Sequence, residues 1–185
     1  MNGYQVTTVS ENYAQLINAD GSLNGGGITI YANTTNLGGD NPKIAFDTVN
    51  QRFLVTWNQV YDEGMGFYGT GPEVSGQFVN SDGSLNGGNF LLTPIVPLDY
   101  VYEFLEDIVF DPILNRFVVL ITSYNAGPAD LYIRFVNNDG SLGDFIKIAD
   151  FTSGYGAWGV RIGYDSNSGR FLVAYNNLTE GNACG

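Results

Sequence analysis

Short apolar runs rich in Val, Ile, Phe and Leu alternate along this chain with turn-forming Gly, Asn, Asp and Ser. Runs of this kind predict β-strands, and no segment shows a convincing helical period. The strands fall into units of four joined by short turns. The first unit is predicted at 42–47, 52–58, 74–80 and 89–93, and the second at 107–111, 116–123, 131–137 and 144–148.

A third unit is divided between the two ends of the sequence. Its first two strands are predicted at 159–165 and 170–177, and its last two at 13–18 and 28–31. A two-stranded ribbon is marginally stable in water and has open edges, so neither half is expected to be stable alone. The two ends of the sequence are therefore expected to need each other to complete one sheet.

Two motifs recur in every unit, which is the signature of a repeat architecture. In one, an Asp precedes an Arg by five residues, at Asp47 and Arg52, Asp111 and Arg116, and Asp165 and Arg170. The other is Asn-x-Asp-Gly-Ser-Leu, at 18–23, 80–85 and 137–142. We expect the Asp and Arg to pair across a hairpin, and the Asn-x-Asp segments to form turns. These Asn-x-Asp segments also resemble the start of a calcium loop, but the later ligands are missing.

The first unit resembles the repeats of bacterial β-propeller proteins, in which four-stranded blades surround a central axis. The matching residues are Asp47 to Trp57, with Arg52-Phe-Leu-Val-Thr-Trp57, and Gly76-Gln-Phe-Val-Asn-Ser-Asp-Gly83. The second unit departs at Ile121 and Ile133-Arg134, and the third at Tyr175. The resemblance implies an all-β fold over a single domain, 1–185, with blades at 42–93, 106–150, and 159–177 plus 13–31. It implies a fold far more than an activity.

Three blades do not close a ring, because propellers typically have about four to eight. Two copies arranged head to tail would make six, with the C-terminal strands of each copy completing the N-terminal strands of the other. This homodimer has no free sheet edge, so a six-bladed β-propeller is expected. The alternative is that the sequence is part of a longer propeller.

Charge and composition limit the kinds of partner and catalytic site that the chain is expected to have. The formal net charge is −12, with only seven Lys plus Arg, which disfavours nucleic acid and anionic membranes. The chain has no histidine, and its one cysteine is Cys184, so the usual catalytic base, zinc sites and an intrachain disulfide are not expected. No cofactor is predicted. No signal-like or membrane-length apolar run is present, so we expect a soluble chain, with an extracellular origin left open.

The long connections at 61–73, 94–106 and 151–158 are expected on one face of a propeller, where binding residues concentrate. Aromatic rings beside carboxylates suit a carbohydrate or a cationic peptide. We therefore predict a non-catalytic, lectin-like module. Its predicted ligand-binding residues are Tyr61, Tyr68, Asp99, Tyr100, Tyr102, Glu103, Tyr155 and Trp158. Alternatively, several of these rings cover blade edges, and the chain is a structural assembly unit.

The sequence contains candidate catalytic residues for one enzyme class, a glycoside hydrolase that uses a carboxylate pair. The candidate pairs are Glu106 with Asp107 and Asp99 with Glu103; adjacent strand residues point to opposite faces, which weakens the first pair. Lys43, Asp107 and Arg161 occupy equivalent positions on the predicted innermost strands. In a ring they would line the channel with alternating charge, where a small ion could bind.

Overall fold

The computed structural model describes residues 11–32, 37–61, 73–93, 101–125, 129–151 and 157–177. All regular secondary structure in these residues is β-strand, which confirms the prediction of an all-β chain. The strands are β1 (Asn12–Ile17), β2 (Leu23–Tyr31), β3 (Leu37–Asp47), β4 (Arg52–Tyr61), β5 (Glu73–Asn80), β6 (Leu85–Leu91), β7 (Val101–Asp111), β8 (Arg116–Asn125), β9 (Ala129–Asn137), β10 (Leu142–Asp150), β11 (Ala157–Asp165) and β12 (Arg170–Asn177).

These strands form four antiparallel sheets. Two are four-stranded meanders, β3-β4-β5-β6 and β7-β8-β9-β10, and two are two-stranded, β1-β2 and β11-β12. The grouping follows the predicted units, but several strands are longer than predicted. β3 begins at Leu37 and β7 at Val101, because a bulge in each strand lets pairing continue beyond the register break between Asp40 and Lys43, and between Leu105 and Asp107.

The Asp and Arg motif forms a hairpin turn in the first two units. Asp47 is fully buried, and its Oδ1 accepts hydrogen bonds from the backbone amides two and three residues later, at 2.9 and 2.8 Å. Arg52 donates from Nε to Asp47 Oδ2 at 3.4 Å, and Arg116 donates to Asp111 Oδ2 at the same distance. In the third unit the carboxylate of Asp165 is exposed and accepts from the amide two residues later at 2.9 Å. The motif therefore stabilises the scaffold.

The Asn-x-Asp-Gly-Ser motif forms a second set of matching turns. In each, an Asp Oδ1 accepts the backbone amide of the Ser two residues later at 2.9 Å: Asp20 in the first, Asp82 in the second and Asp139 in the third. Hydrogen bonds from the same Ser residues lower the pKa of all three carboxyls. Turn formation thus accounts for the carboxylates that resembled calcium ligands.

The four sheets stack face to face in chain order. One core lies between the two four-stranded sheets, a second between β7-β10 and β11-β12, and a third between β1-β2 and β3-β6. The first strands β3, β7 and β11 contact one another in succession. Within the described residues the stack is open, and the two-stranded sheets are at its ends. Buried side chains that define the three cores are Leu54, Phe78 and Ile108; Leu120, Leu131 and Val160; and Ile30, Trp57 and Val79.

Candidate functional site

Each of the two end sheets has a strand, β12 or β1, with one edge that is unpaired among the described residues. In the complete sheets, β4 pairs with both β3 and β5, and β8 pairs with both β7 and β9. Their equivalent β12 pairs with β11 alone, within the described part of the chain. Likewise β1, the equivalent of β5 and β9, pairs only with β2 there. An unpaired edge is a template for another strand.

Equivalent residues show that, among the described residues, no sheet covers the outer face of β12. The motif arginines align Leu172 with Leu54 and Val118. Both counterparts are 0% exposed, whereas Leu172 is 75% exposed. The three residues share a sequence context and a strand position. The difference in their exposure therefore comes from whether a neighbouring sheet covers them.

The opposite end of the stack shows the same difference. Ile17 on β1 aligns with Val79 and Val136, which are 2% and 0% exposed, yet Ile17 is 65% exposed. On β3, Ile44 is 57% exposed while its counterpart on β7, Ile108, is buried in the first core. Apolar side chains thus face solvent at both ends of the stack.

β1 and β2 share a side-chain hydrogen-bond pattern with β5 and β6 of the first complete sheet. Gln15 donates from Nε2 to three carbonyls, and Gln77 on β5 makes the same three bonds one unit later. The acceptors of Gln15 are Leu16 at 3.0 Å, Asn24 at 3.3 Å and Gly25 at 3.3 Å; those of Gln77 are Phe78 at 2.9 Å, Asn86 at 3.2 Å and Gly87 at 3.2 Å. β1 and β2 therefore reproduce the outer half of a complete sheet.

Glu103, one of the predicted ligand-binding residues, is buried on β7. Burial raises the pKa of its carboxyl, although a hydrogen bond with Thr93 and the charge of Arg134 act in the opposite direction. Arg134 is held by its own bonds, from Nε to the carbonyl of Leu92 at 2.9 Å and from a terminal nitrogen to that of Gly143 at 3.1 Å. Glu103 is therefore an interior acid.

The other predicted binding residues lie at the ends of strands or outside the described residues. Tyr102 is half-buried on β7, Tyr61 is the last residue of β4, and Trp158 is the second residue of β11. Tyr61, Tyr102, Glu103 and Trp158 are predicted from the sequence to lie in connections; that placement is wrong, because β4, β7 and β11 extend over them. The remaining residues, Tyr68, Asp99, Tyr100 and Tyr155, lie outside the described residues.

The charged residues on the inner strands make structural contacts. Asp107 accepts backbone amide hydrogen bonds at both oxygens, from Ile108 at 3.0 Å and, across the sheet boundary, from Ile162 at 3.0 Å. Glu106 accepts from Thr122 Oγ1 at 3.0 Å. Burial raises the pKa of Glu106, while the charges of Lys43 and Arg161 oppose that shift. Asp107 thus links β7 to β11.

The sequence matches no protein-family model, and a search of curated proteins found no match either. No helix in the described part of the chain is long and apolar enough to cross a membrane. The edges of β1 and β12, with the exposed apolar side chains beside them, are therefore the main structural evidence for function.

Proposed function

We propose that the protein is a non-catalytic interaction module that assembles with a second copy of itself into a six-bladed β-propeller. Each four-stranded sheet is one blade. The third blade forms between copies, with β11-β12 of one joined to β1-β2 of the other. The observation that carries this proposal is the exposure of Leu172 and Ile17 at positions that are buried in both complete sheets.

The driving force is burial of apolar surface together with pairing of two open edges. Fully burying a Leu or Ile side chain contributes about 1.5–3 kcal/mol. Leu172, Ile17 and Ile44 are all largely exposed, and each occurs once at each of the two symmetric seams, the shared blades where one copy meets the other. The same closure removes edges that otherwise promote uncontrolled association.

For the ligand, we propose carbohydrate bound in a lectin-like manner by the long connections of the assembled ring, with a cationic peptide as the alternative. Support comes from the aromatic and acidic composition of these segments and from Tyr102, which is half-buried where β7 leaves one of them. A glycoside hydrolase is less well supported. Both oxygens of Asp107 accept backbone amides, and Glu106 accepts from Thr122, so this pair is committed to structural bonds.

The assembly is tested by the solution mass of residues 1–185. Light scattering over a dilution series should give a dimer that dissociates at low concentration and loses thermal stability as it does so. A folded monomer whose melting temperature is independent of concentration would contradict the proposal. Open-ended oligomers or aggregates would favour the alternative that these sheets belong to a longer propeller.

The ligand class is tested with a glycan array and a paired variant. Trp158→Ala should weaken binding of the glycan that the array identifies by about 1–3 kcal/mol, as expected for an aromatic contact residue. Thermal unfolding of the same variant separates a binding defect from a folding defect. Release of reducing sugar from mixed polysaccharides would instead support the hydrolase.

A further inference from the structure

The two complete sheets share one pairing register between their second and third strands. In β4-β5, Arg52 is opposite Asn80, and in β8-β9, Arg116 is opposite Asn137. Each pair consists of the motif Arg at the start of one strand and the motif Asn at the end of the next. Pairing continues without a register shift along both strand pairs. The relation between the two motifs therefore fixes every other pair.

We infer that β12 of one copy pairs antiparallel with β1 of a second copy in this same register, with Arg170 opposite Asn18. This inference rests on the proposed function and specifies the partner segment. It places Ala174 opposite Ala14 and Leu172 opposite Leu16. A slip of one residue would turn every side chain of a strand to the opposite face, so the register is strongly determined by the apolar pattern.

The inferred register also brings exposed apolar residues into contact. In the core between the complete sheets, Leu54 and Ile108 belong to one buried cluster. Their equivalents at the seam are Leu172 on β12 and Ile44 on β3 of the second copy, and both are exposed in the single chain. The same packing between sheets therefore covers both residues at once, one from each copy.

A buried polar atom supports the register independently. Asn12 is 5% exposed, and its Nδ2 has no hydrogen-bond partner among the described residues. The register places Asn176 of the other copy opposite it. The equivalent of Asn176 in the first sheet, Asn58, uses Oδ1 to accept the amide of Leu105 in the next sheet at 2.7 Å. Asn176 would thus place an amide oxygen near Asn12, whose buried Nδ2 needs an acceptor.

Disulfide trapping tests the register with cysteines at four positions, combined in two matched pairs and two offset pairs. The background is Cys184→Ser, which removes the natural thiol. The matched pairs are Ala14→Cys with Ala174→Cys and Leu16→Cys with Leu172→Cys. The offset pairs, Leu16→Cys with Ala174→Cys and Ala14→Cys with Leu172→Cys, use the same residues. Directly opposite residues lie within disulfide range, whereas diagonal neighbours are about 7–8 Å apart.

After mild oxidation at a concentration where light scattering shows the reduced variant to be a dimer, non-reducing electrophoresis should show most of each matched variant as covalent dimer and most of each offset variant without a cross-link. Circular dichroism of the reduced proteins checks that all four fold, and two independent matched pairs keep the test valid if one variant fails. A dimer by light scattering in which only offset pairs cross-link would refute the register and leave the proposed function standing. Monomers without cross-links would refute both. Loss of thiols at monomer mass would also refute both, since each chain would then close on itself.

Discussion

Truncation of Leu172 gives a direct test of the seam. In a single chain this side chain is 75% exposed, so Leu172→Ala should change stability by no more than about 0.5 kcal/mol, as for ordinary surface substitutions. In the assembled ring it would be as buried as Leu54, and Leu→Ala at a buried site costs about 2–5 kcal/mol. Two symmetric seams double the lower figure to about 4 kcal/mol, which at about 1.4 kcal/mol per tenfold weakens dimerisation by roughly a thousandfold.

Sedimentation equilibrium of the wild type and of Leu172→Ala measures this difference directly. Leu142→Ala is the matched control, because Leu142 is an exposed Leu at the start of the outer strand β10. We expect the control to dimerise like the wild type and Leu172→Ala to be largely monomeric at micromolar concentration. If the wild type is a dimer and both variants dissociate at the same concentration as it does, Leu172 is not at the interface, and the reasoning from equivalent positions is refuted.

Other substitutions test the interior. Burial raises the pKa of Glu103, so this carboxyl favours folding below pH 4.5 and loses that contribution as the pH rises through its folded pKa. Glu103→Gln should therefore have a higher melting temperature than the wild type at neutral pH, and the difference should close in acid. A lower melting temperature of the variant at neutral pH would contradict this. Asp111→Ala should cost about 1–3 kcal/mol by chemical denaturation, because it leaves two backbone donors without their acceptor; an unchanged free energy of unfolding would contradict this. Gly76→Ala should cost about 1–3 kcal/mol because a Cβ there would lie 2.8 Å from Leu92; unchanged denaturation would show that the core adapts.

The sequence predicted the turns and the grouping of strands well, because both depend on local chemistry. An Asp that accepts amides two and three residues later forms a hairpin whatever the rest of the chain does, as Asp47 and Asp111 show. Because these turns recur at corresponding places, the order of strands in the two complete sheets followed from them.

The extension of β7 and the burial of Glu103 could not be predicted in that way. A bulge between Leu105 and Asp107 interrupts the alternation of apolar and polar residues, so the acidic segment before it resembled a connection. Glu103 is buried near Thr93, which follows β6, and Arg134 on β9, and contacts between residues so distant in sequence leave no local pattern.

The ends of the stack differ from those of a repeat protein that is complete as a single chain. Terminal repeats of such proteins have a polar outer face, which keeps them soluble. Here the outer face of β12 presents Leu172, and the outer face of β1 presents Tyr13 and Ile17, each more than 60% exposed. Their counterparts in the complete sheets include fully buried residues such as Leu54 and Val136. End sheets with the composition of interior sheets are suited to a partner surface of the same kind, and in the proposed assembly that surface is the opposite end of a second copy.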